Sequence, residues 1–314
     1  MSVATPTAPS GLSHRLRLNL KAVVGRAYPR VIGANREPSW VFFETVLPLL
    51  NIAAYVFIYQ ALANRVLVDP SLTEAQRAAT IAGTNALIGG VVRGVTMTAF
   101  WLNVLWSMAS QLYWEKEIGN LQLYMMAPMS RMALLGGMAV GGMFMTSVRA
   151  MTTLVVGVVV FSVILQVTSP FLLLAVFFVT LIALYGMGMA LASLYLLWGR
   201  EAWHLSALLE EPIYFASGFN FPAGGFARMG GWGRAVLTFA TFIPATVGLD
   251  AMRQMIFPGA ISLPIEAFGV RFTPEIELGI LLVLAVVFLF LARYALAYLE
   301  MLARREGRLT SRHQ

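Results

Sequence analysis

Several apolar runs in this chain are long enough to cross a lipid bilayer, and this restricts the folds open to it. A helix needs about 20 residues to cross a hydrocarbon core about 30 Å thick. The runs at 79–112 and 132–168 both exceed that length. With 59% hydrophobic and 12% charged residues, the composition is far from that of a soluble domain. We therefore predict an all-α, multi-pass membrane protein.

The apolar pattern predicts six transmembrane helices within one membrane domain, 11–303. The six predicted spans are 40–62, 79–112, 132–168, 171–198, 203–221 and 276–300. Residues 1–10 are rich in Pro, Ser, Thr and Ala and are predicted to be a disordered tail. Residues 304–314 are a basic tail. No cleavable signal peptide is expected, because the first 37 residues hold six basic residues but no continuous apolar core.

Residues 11–36 have the pattern of a helix that lies in the membrane interface. Their six charged side chains are all basic. On a helix, one face would carry the apolar side chains Leu12, Leu16, Leu20, Val23 and Ala27, with most of the basic side chains off that face. Such a helix rests on headgroups, and Pro29 is expected to bend or end it.

The distribution of Lys and Arg predicts that both termini are cytoplasmic. With six spans and both ends inside, the internal segments hold 13 basic residues and the external segments hold six. This bias follows the positive-inside rule. The net charge of +7 is concentrated near the predicted membrane boundaries. Membrane lipids are therefore expected to bind these charges, and nucleic acid is not.

A polar island at 113–131 separates the second and third spans, and it is predicted to be cytoplasmic. It holds three charges and a Gly–Asn pair before a short amphipathic helix closed by a proline: Glu115, Lys116, Glu117, Gly119, Asn120 and Pro128. A membrane protein has little reason to build such a helix unless a partner docks on it. The alternative is a turn that only joins two spans.

Residues 222–274 predict helices that enter from the outer side of the membrane and return. The segment is rich in Gly and Pro, and its apolar pieces are only about ten residues long. Pieces of this length are too short to span. Irregular backbone at membrane depth is tolerated only where protein or a water-filled cavity covers it. The alternative is an external amphipathic loop that rests on the headgroups.

Four charged residues fall within predicted spans, where charge is costly and often functional: Arg93, Arg149, Glu210 and Glu211. They are candidates for a substrate path or for intramembrane ion pairs, for example between one Glu and one Arg. Either arginine could instead lie at an interface or snorkel to one. The two glutamates could instead precede a helix that starts at Pro212, at the cytoplasmic surface.

The sequence holds no motif for chemistry of its own. Neither of the two lysines, Lys21 and Lys116, follows the glycine of a phosphate-binding loop. The three histidines are scattered and no metal-binding motif is present. We therefore expect no catalytic, cofactor-binding or metal-binding residues on this chain. The glycine spacings at Gly137 and Gly141, and at Gly186 and Gly188, predict close helix packing.

Three blocks of sequence, in order and spacing, resemble a permease of the type-2 ATP-binding cassette (ABC) exporter family. This family includes polysaccharide exporters and daunorubicin-type drug exporters. The blocks are Asn35-Arg36-Glu37-Pro38 with Pro48; Glu117-x-Gly119-x-Leu121 with Ala127-Pro128-Met129-Ser130; and Gly218-x-x-Phe221-Pro222 with Pro244, Asp250 and Arg253. Asn120 and Gln122 depart from the family pattern, in which Thr and Glu are common.

The resemblance implies a non-enzymatic membrane subunit of the bacterial cytoplasmic (inner) membrane. Its expected partners are two ABC ATPase subunits, which bind ATP and magnesium, and a second permease copy in a homodimer or a related permease. It implies that the ATPase couples through Glu115, Glu117, Gly119, Leu121 and Pro128. Its outer re-entrant region would contain Gly218, Pro222, Pro244, Asp250 and Arg253. The substrate path would lie between the two permeases.

The expected substrate is amphipathic, lipid-like or drug-like, since the spans are rich in Phe, Met and Leu. A lipid-linked polysaccharide is the alternative substrate. Two other classes of protein remain open: a proton-coupled secondary transporter that uses intramembrane Glu and Arg, and a membrane-embedded transferase acting on lipids. The two halves show no evident internal repeat of the kind that many secondary transporters carry. No acid–base or metal constellation supports a transferase.

Overall fold

The computed structural model describes residues 12–33, 38–163, 165–198, 201–256 and 263–305, and helices make up most of them. The predicted tail at 1–10, the block Asn35–Glu37 and most of the predicted tail at 304–314 lie outside the described residues. The α-helices, in chain order, are α1 Leu12–Gly33, α2 Pro38–Leu67, α3 Glu74–Leu102, α4 Gln111–Ile118, α5 Asn120–Met126, α6 Arg131–Val160, α7 Pro170–Trp198, α8 Ala202–Ser217, α9 Gly230–Ala240, α10 Pro244–Ile256 and α11 Pro274–Arg305.

Among the described residues, five helical segments are long and apolar enough to cross a membrane: Val46–Leu67, Glu74–Ile118, Arg131–Val160, Pro170–Tyr195 and Pro274–Leu302. The prediction of a multi-pass, all-α membrane protein is confirmed at this level. The predicted span at 203–221 corresponds to α8, which has only 16 residues and falls short of the usual length of about 20. The number of six spans stays a prediction.

The second long segment is a 45-residue helix that runs from Glu74 to Ile118. Between α3 and α4 it contains one π-helical stretch, Asn103–Met108, where the amide of Ala109 donates to the carbonyl of Val104 at 3.0 Å. The helix ends at Gly119, whose φ of 87° is readily adopted by glycine. The first half of the predicted island therefore continues the preceding span, and only its second half, α5, is a separate short helix.

Helix α1 packs along α6, and the glycine pair in α6 allows this close contact. A Cβ atom at Gly137 would lie 2.7 Å from the carbonyl oxygen of Val23, and one at Gly141 would lie 3.2 Å from the Cα of Ala27. The predicted packing role of these glycines is confirmed. Helix α1 continues through Pro29 to Gly33, so Pro29 does not end this helix.

The α1 face that contacts α6 differs in part from the predicted apolar face. Val23 and Ala27 lie against the glycines of α6. The apolar side chains at four-residue spacing are exposed: Leu12, Leu16, Leu20, Val24 and Tyr28. Residues four apart lie on one side of a helix, so this exposed stripe is the one available to rest on lipid.

The centre of the molecule is the second half of α3 with the π-helix, surrounded by α6, α7, α8 and α10. The exposed fractions of Trp101, Val104 and Leu105 are all 0%. Helix α7 packs closely on two neighbours, since a Cβ at Gly188 would lie 2.7 Å from Val104 and one at Gly186 would lie 3.3 Å from Phe288. These two glycines are close-packing positions, as their sequence context predicts.

The segment 222–274 folds into short helices and a hairpin. A 3-10 helix, Ala223–Met229, leads into α9, and this unit meets α10 at an angle of 99°. After the gap at 257–262, strands β1 (Glu266–Ala267) and β2 (Val270–Arg271) form an antiparallel hairpin that the sequence did not predict. The bend fits either a broken span or a re-entrant pair, so the re-entrant reading stays a prediction.

Candidate functional site

A cleft of about 630 Å³ opens beside the π-helix. Its wall is formed by α1, α2, α6 and the long helix from α3 to α4. Its lining includes Arg30, Leu47, Pro48, Asn103, Trp106, Ser107, Gln111, Trp114, Thr146 and Arg149. The volume is within the usual range for pockets that hold drug-sized ligands.

The π-helix supplies much of this lining and fixes its orientation. Asn103 is held in place by Tyr185 of α7, whose hydroxyl donates to the Asn103 side-chain oxygen at 2.9 Å. The extra residue in a π-turn shifts the side chains that follow it around the helix, and such turns often occur at functional sites. The sequence did not predict this cleft, because its apolar pattern through 103–108 is the same as that of an ordinary α-helix.

Two cationic side chains line the cleft, one from α1 and one from α6. The guanidinium of Arg30 donates to the hydroxyl of Ser107 in the π-helix. Burial lowers the pKa of Arg30 from its ordinary value, although an arginine stays charged in a protein. Its Nη1 atom is buried and has no hydrogen-bond partner among the described residues. The second cation is Arg149, one of the residues singled out from the sequence.

Three tryptophans form an aromatic cluster at the cleft. The ring of Trp203 in α8 lies edge-on to Trp106 at 6.4 Å and to Trp114 at 6.0 Å, which are favourable aromatic geometries. The indole nitrogen of Trp106 donates to the carboxylate of Glu210 at 3.0 Å. This bond links Glu210 to a residue that lines the cleft, although Glu210 itself does not line it. The hydrogen bond shown is to an indole, whereas the sequence suggested an ion pair.

Both glutamates lie in the interior of α8, which begins at Ala202. The helix therefore does not start at Pro212, and the placement of both acids at the cytoplasmic surface stays a prediction. Glu211 is exposed and Glu210 is half-buried. Arg93 lies in a different region, 7% exposed and close enough to Asp250 and Arg253 for their charges to interact. Asp250 and Arg253 both lie on α10. The sequence did not predict that they would meet Arg93.

Glu115, a predicted coupling residue, is buried and joined to α1. Its carboxylate pairs with the guanidinium of Arg26, and it accepts a hydrogen bond from Asn120 at 3.1 Å. Arg26 also lies over the ring of Tyr124 at 5.7 Å. A further contact runs from the amide of Ser130 to the side-chain oxygen of Asn19 at 2.8 Å. Helix α1 is therefore fastened to both ends of the 113–131 island.

The exposed part of the island is apolar. Trp114, Ile118, Leu123 and Met126 are 45%, 67%, 62% and 75% exposed. Trp114 also lines the cleft, so we call the other three residues, Ile118, Leu123 and Met126, the docking strip. Of the other predicted coupling residues, Pro128 is exposed, Glu117 and Gly119 are half-buried, and Leu121 is buried in the core. Leu121 therefore supports the packing of the island and is not itself available to a partner.

Several residues predicted for the outer re-entrant region come together. Arg253 donates to the carbonyl oxygens of Gly218 at 3.4 Å and Phe221 at 3.2 Å, and it lies 3.7 Å from the carboxylate of Asp250. Pro222 precedes the 3-10 helix, and Pro244 begins α10. The resemblance grouped these residues, and the structure brings Gly218, Asp250 and Arg253 into contact; their place in an outer re-entrant region stays a prediction.

Two residues of this network were missed from the sequence, Gln254 and Glu277. The amide nitrogen of Gln254 donates to Asp250 at 3.2 Å and to Glu277 at 3.0 Å. The amide of Ile265 also donates to Asp250, at 2.8 Å. Glu277 begins the last long helix, where an acid is usual, so its pattern gave no sign that it is fully buried.

No known family model matches this sequence. A search of curated proteins likewise finds no match. The resemblance to type-2 ABC permeases stays a prediction that rests on the three sequence blocks.

Proposed function

We propose that this chain is the membrane subunit of an exporter that is driven by a separate ATPase. The observation that carries the proposal is the docking strip: an apolar surface on a short helical island whose buried side is fastened to α1 and continuous with the long helix α3–α4. Exposed apolar patches rimmed by polar groups commonly mark sites for a protein partner. One of the three blocks that resemble the type-2 ABC family, Glu117–Ser130, falls on the same island.

The contacts of the island offer a mechanical connection to the cleft. Movement of α4 would act on the π-helix directly, since the two belong to one 45-residue helix. It would also act on α1 through the Arg26–Glu115 pair, and α1 contacts the π-helix again through Arg30 and Ser107. ATP-driven closure of the partner would thus shift the elements that line the cleft, a switching transition of the rigid-body kind.

The proposed placement has six spans, both termini in the cytoplasm and the island on the cytoplasmic side. It counts α8 as a short span and treats 222–274 as a re-entrant region on the outer side. The membrane is the bacterial cytoplasmic membrane. The support is the excess of Lys and Arg in the internal segments, 13 against six, together with the bend between the α9 unit and α10.

The proposed assembly pairs two permease copies with two ATPase subunits, which hold ATP and magnesium. The two permeases form a homodimer, or this chain pairs with a related permease. The substrate is amphipathic, lipid-like or drug-like, with a lipid-linked polysaccharide as the alternative. The support for an amphipathic substrate is the mixture of apolar, aromatic and polar side chains in the cleft.

The network around Asp250 favours a second candidate function, a proton-coupled secondary transporter. Asp250 and Glu277 are 1% and 0% exposed and share the side chain of Gln254, and buried carboxyl groups can carry protons in transporters. The same network, however, binds the backbone: Arg253 donates to the carbonyl oxygens of Gly218 and Phe221, and Asp250 accepts from the amide of Ile265. We favour the structural role because these contacts hold the outer segment in place.

A test of the proposed function is ATP hydrolysis by complexes isolated with the tagged chain from its own membrane. The wild-type chain is expected to co-purify with an ATPase. The Met126→Asp variant is expected to lose this ATPase, because a charge would disrupt an apolar contact. The matched control is Val68→Asp, which changes an 81% exposed residue beyond the end of α2. Equal ATP hydrolysis with both variants, or none with the wild type, would contradict the proposal.

Dissipating the proton gradient separates the two candidate functions. An ATP-driven exporter continues to work in vesicles that are supplied with ATP and an uncoupler. A proton-coupled transporter stops under the same conditions. Transport that ends with the uncoupler while ATP is present would favour the second candidate.

A further inference from the structure

Arg30 and Arg149 come from different helices, α1 and α6, and line the same cleft as Trp106 and Trp114. We propose that this cleft binds the anionic head group of a lipid-like amphiphile, within a single copy of the chain. The two arginines hold the head group, and the tryptophans cover the adjoining part of the molecule.

The charge of the site favours an anion. A guanidinium presents several N–H donors in a plane, which suits the oxygens of phosphate or carboxylate groups. Arg30 donates one hydrogen bond to the hydroxyl of Ser107. Its Nη1 is buried and has no hydrogen-bond partner among the described residues. A buried donor without a partner is costly, and an anionic oxygen would satisfy it. A cationic amphiphile would be repelled by both arginines.

Neutral polar side chains in the same wall suit the rest of a head group. Asn103, Gln111 and Thr146 line the cleft, and Asn103 is held by the hydroxyl of Tyr185. Side chains whose positions are fixed in this way lose little entropy when they bind a ligand. The cleft therefore offers charge and hydrogen bonds on its inner side.

An amphiphile fits better than a small soluble anion because the α2 wall of the cleft is apolar and open. Leu47 and Pro48 line the cleft, and Leu47 and Leu50 are both about 60% exposed. Only 11% of the most apolar stretch of α2, within Val46–Leu67, is buried. A cleft of about 630 Å³ has room for a head group and the start of a tail, and the tail can continue along α2.

The test is lipid retention by the purified chain, measured by native mass spectrometry from membranes of phosphatidylglycerol and phosphatidylcholine. The wild type is expected to retain phosphatidylglycerol in preference to phosphatidylcholine. Arg149→Gln should weaken this retention roughly tenfold, as expected for the loss of a charge-assisted hydrogen bond. The matched control is Arg293→Gln, which removes an exposed arginine from α11, away from the cleft.

Arg30→Gln is the second variant, and it is compared with wild type only after thermal unfolding shows that it folds. Equal retention of the two lipids by the wild type would overturn the proposal. So would equal losses in the Arg149 and Arg293 variants, since that would indicate general attraction of anionic lipid. Displacement of the lipid by inorganic phosphate at comparable concentration would show that the cleft binds a soluble anion. This result would overturn the proposal that its ligand is an amphiphile.

This experiment uses the chain without any ATPase. Its failure would leave the docking strip and the proposed coupling unaffected. Conversely, a chain that binds no ATPase could still show the lipid preference. The two proposals are therefore tested separately.

Discussion

The guanidinium of Arg26 in α1 pairs with the carboxylate of Glu115 in α4, 89 residues further along the chain. This pair fastens the basic amino-terminal helix to the polar island between two long helices. From the sequence, Arg26 was one of several basic residues expected at headgroups, and Glu115 was a residue expected to face a partner. The structure instead joins them to each other, and leaves the apolar side chains of the island exposed.

The Arg26–Glu115 pair predicts non-additive effects on stability. Arg26→Gln and Glu115→Gln should each lower the free energy of unfolding by about 1–3 kcal/mol, since each leaves a charged, partly buried group without its partner. The double variant should cost less than the sum, because the two residues interact directly. Thermal unfolding in detergent provides the measurement. Arg17→Gln, at an exposed position of the same helix, is the control, and strictly additive losses would refute the pairing.

The contact between α1 and α6 predicts opposite outcomes at two adjacent glycines. Gly137→Ala places a methyl group 2.7 Å from the carbonyl oxygen of Val23, whereas Gly136→Ala meets nothing within 4 Å. We expect the first change to loosen α1 and speed tryptic cleavage at Arg15 and Arg17. The second should be neutral or slightly stabilising, since alanine favours a helix. Equal cleavage rates in the two variants would show that α1 does not depend on this contact.

Much of the fold follows from the sequence, because lipid-spanning length is a strong signal. The long helices lie close to the predicted spans, and Gly137 and Gly141 pack as their spacing indicates. The π-helix at 103–108 was not predicted, since the run 79–112 was assigned as a span from its length and apolar composition, which a π-turn does not change. The exposed stripe of α1 was partly wrong in the prediction. Val23 and Ala27 were assigned to the face that rests on lipid, but they pack against the glycines of α6.

The network around Arg253 predicts a large structural effect. Arg253→Met removes the donors to Gly218 and Phe221 and leaves Asp250 buried beside fewer positive charges. Breaking a buried pair by removing one partner costs about 3–5 kcal/mol. We expect reduced yield and a lower unfolding temperature. Arg271→Met, at an exposed position of the hairpin, should behave as wild type, and the same result for Arg253→Met would contradict the network.

The candidate site was predictable only where residues near in sequence act together. Gly218, Asp250 and Arg253 were grouped through the resemblance to the type-2 ABC pattern, and the structure brings the three into contact. Arg149 was singled out as a charge within a span, but its position beside Arg30 and Trp106 depends on how α1 packs across α6. A charge can be noticed in sequence, whereas the partner it meets is decided by packing between distant segments.

Orientation is testable with single cysteines, since the chain has none of its own. Val68→Cys, at an 81% exposed position, is expected to react with a membrane-impermeant maleimide in intact cells. Met126→Cys, 75% exposed, should react only after the membrane is opened. This outcome follows from the excess of basic residues in the internal segments. Labelling of position 126 from outside would reverse the proposed topology.

Docking of an ATPase on the island can be tested by cross-linking from position 126. Met126→Cys, coupled to a photoreactive maleimide in the native membrane, provides a single probe within the docking strip, with Val68→Cys as the control. If an ATPase docks there, the probe at position 126 cross-links to a protein whose sequence contains a GxxxxGK[ST] phosphate-binding loop, and the probe at position 68 does not. Absence of such a protein at Met126, while the labelled chain remains folded and inserted, would contradict it.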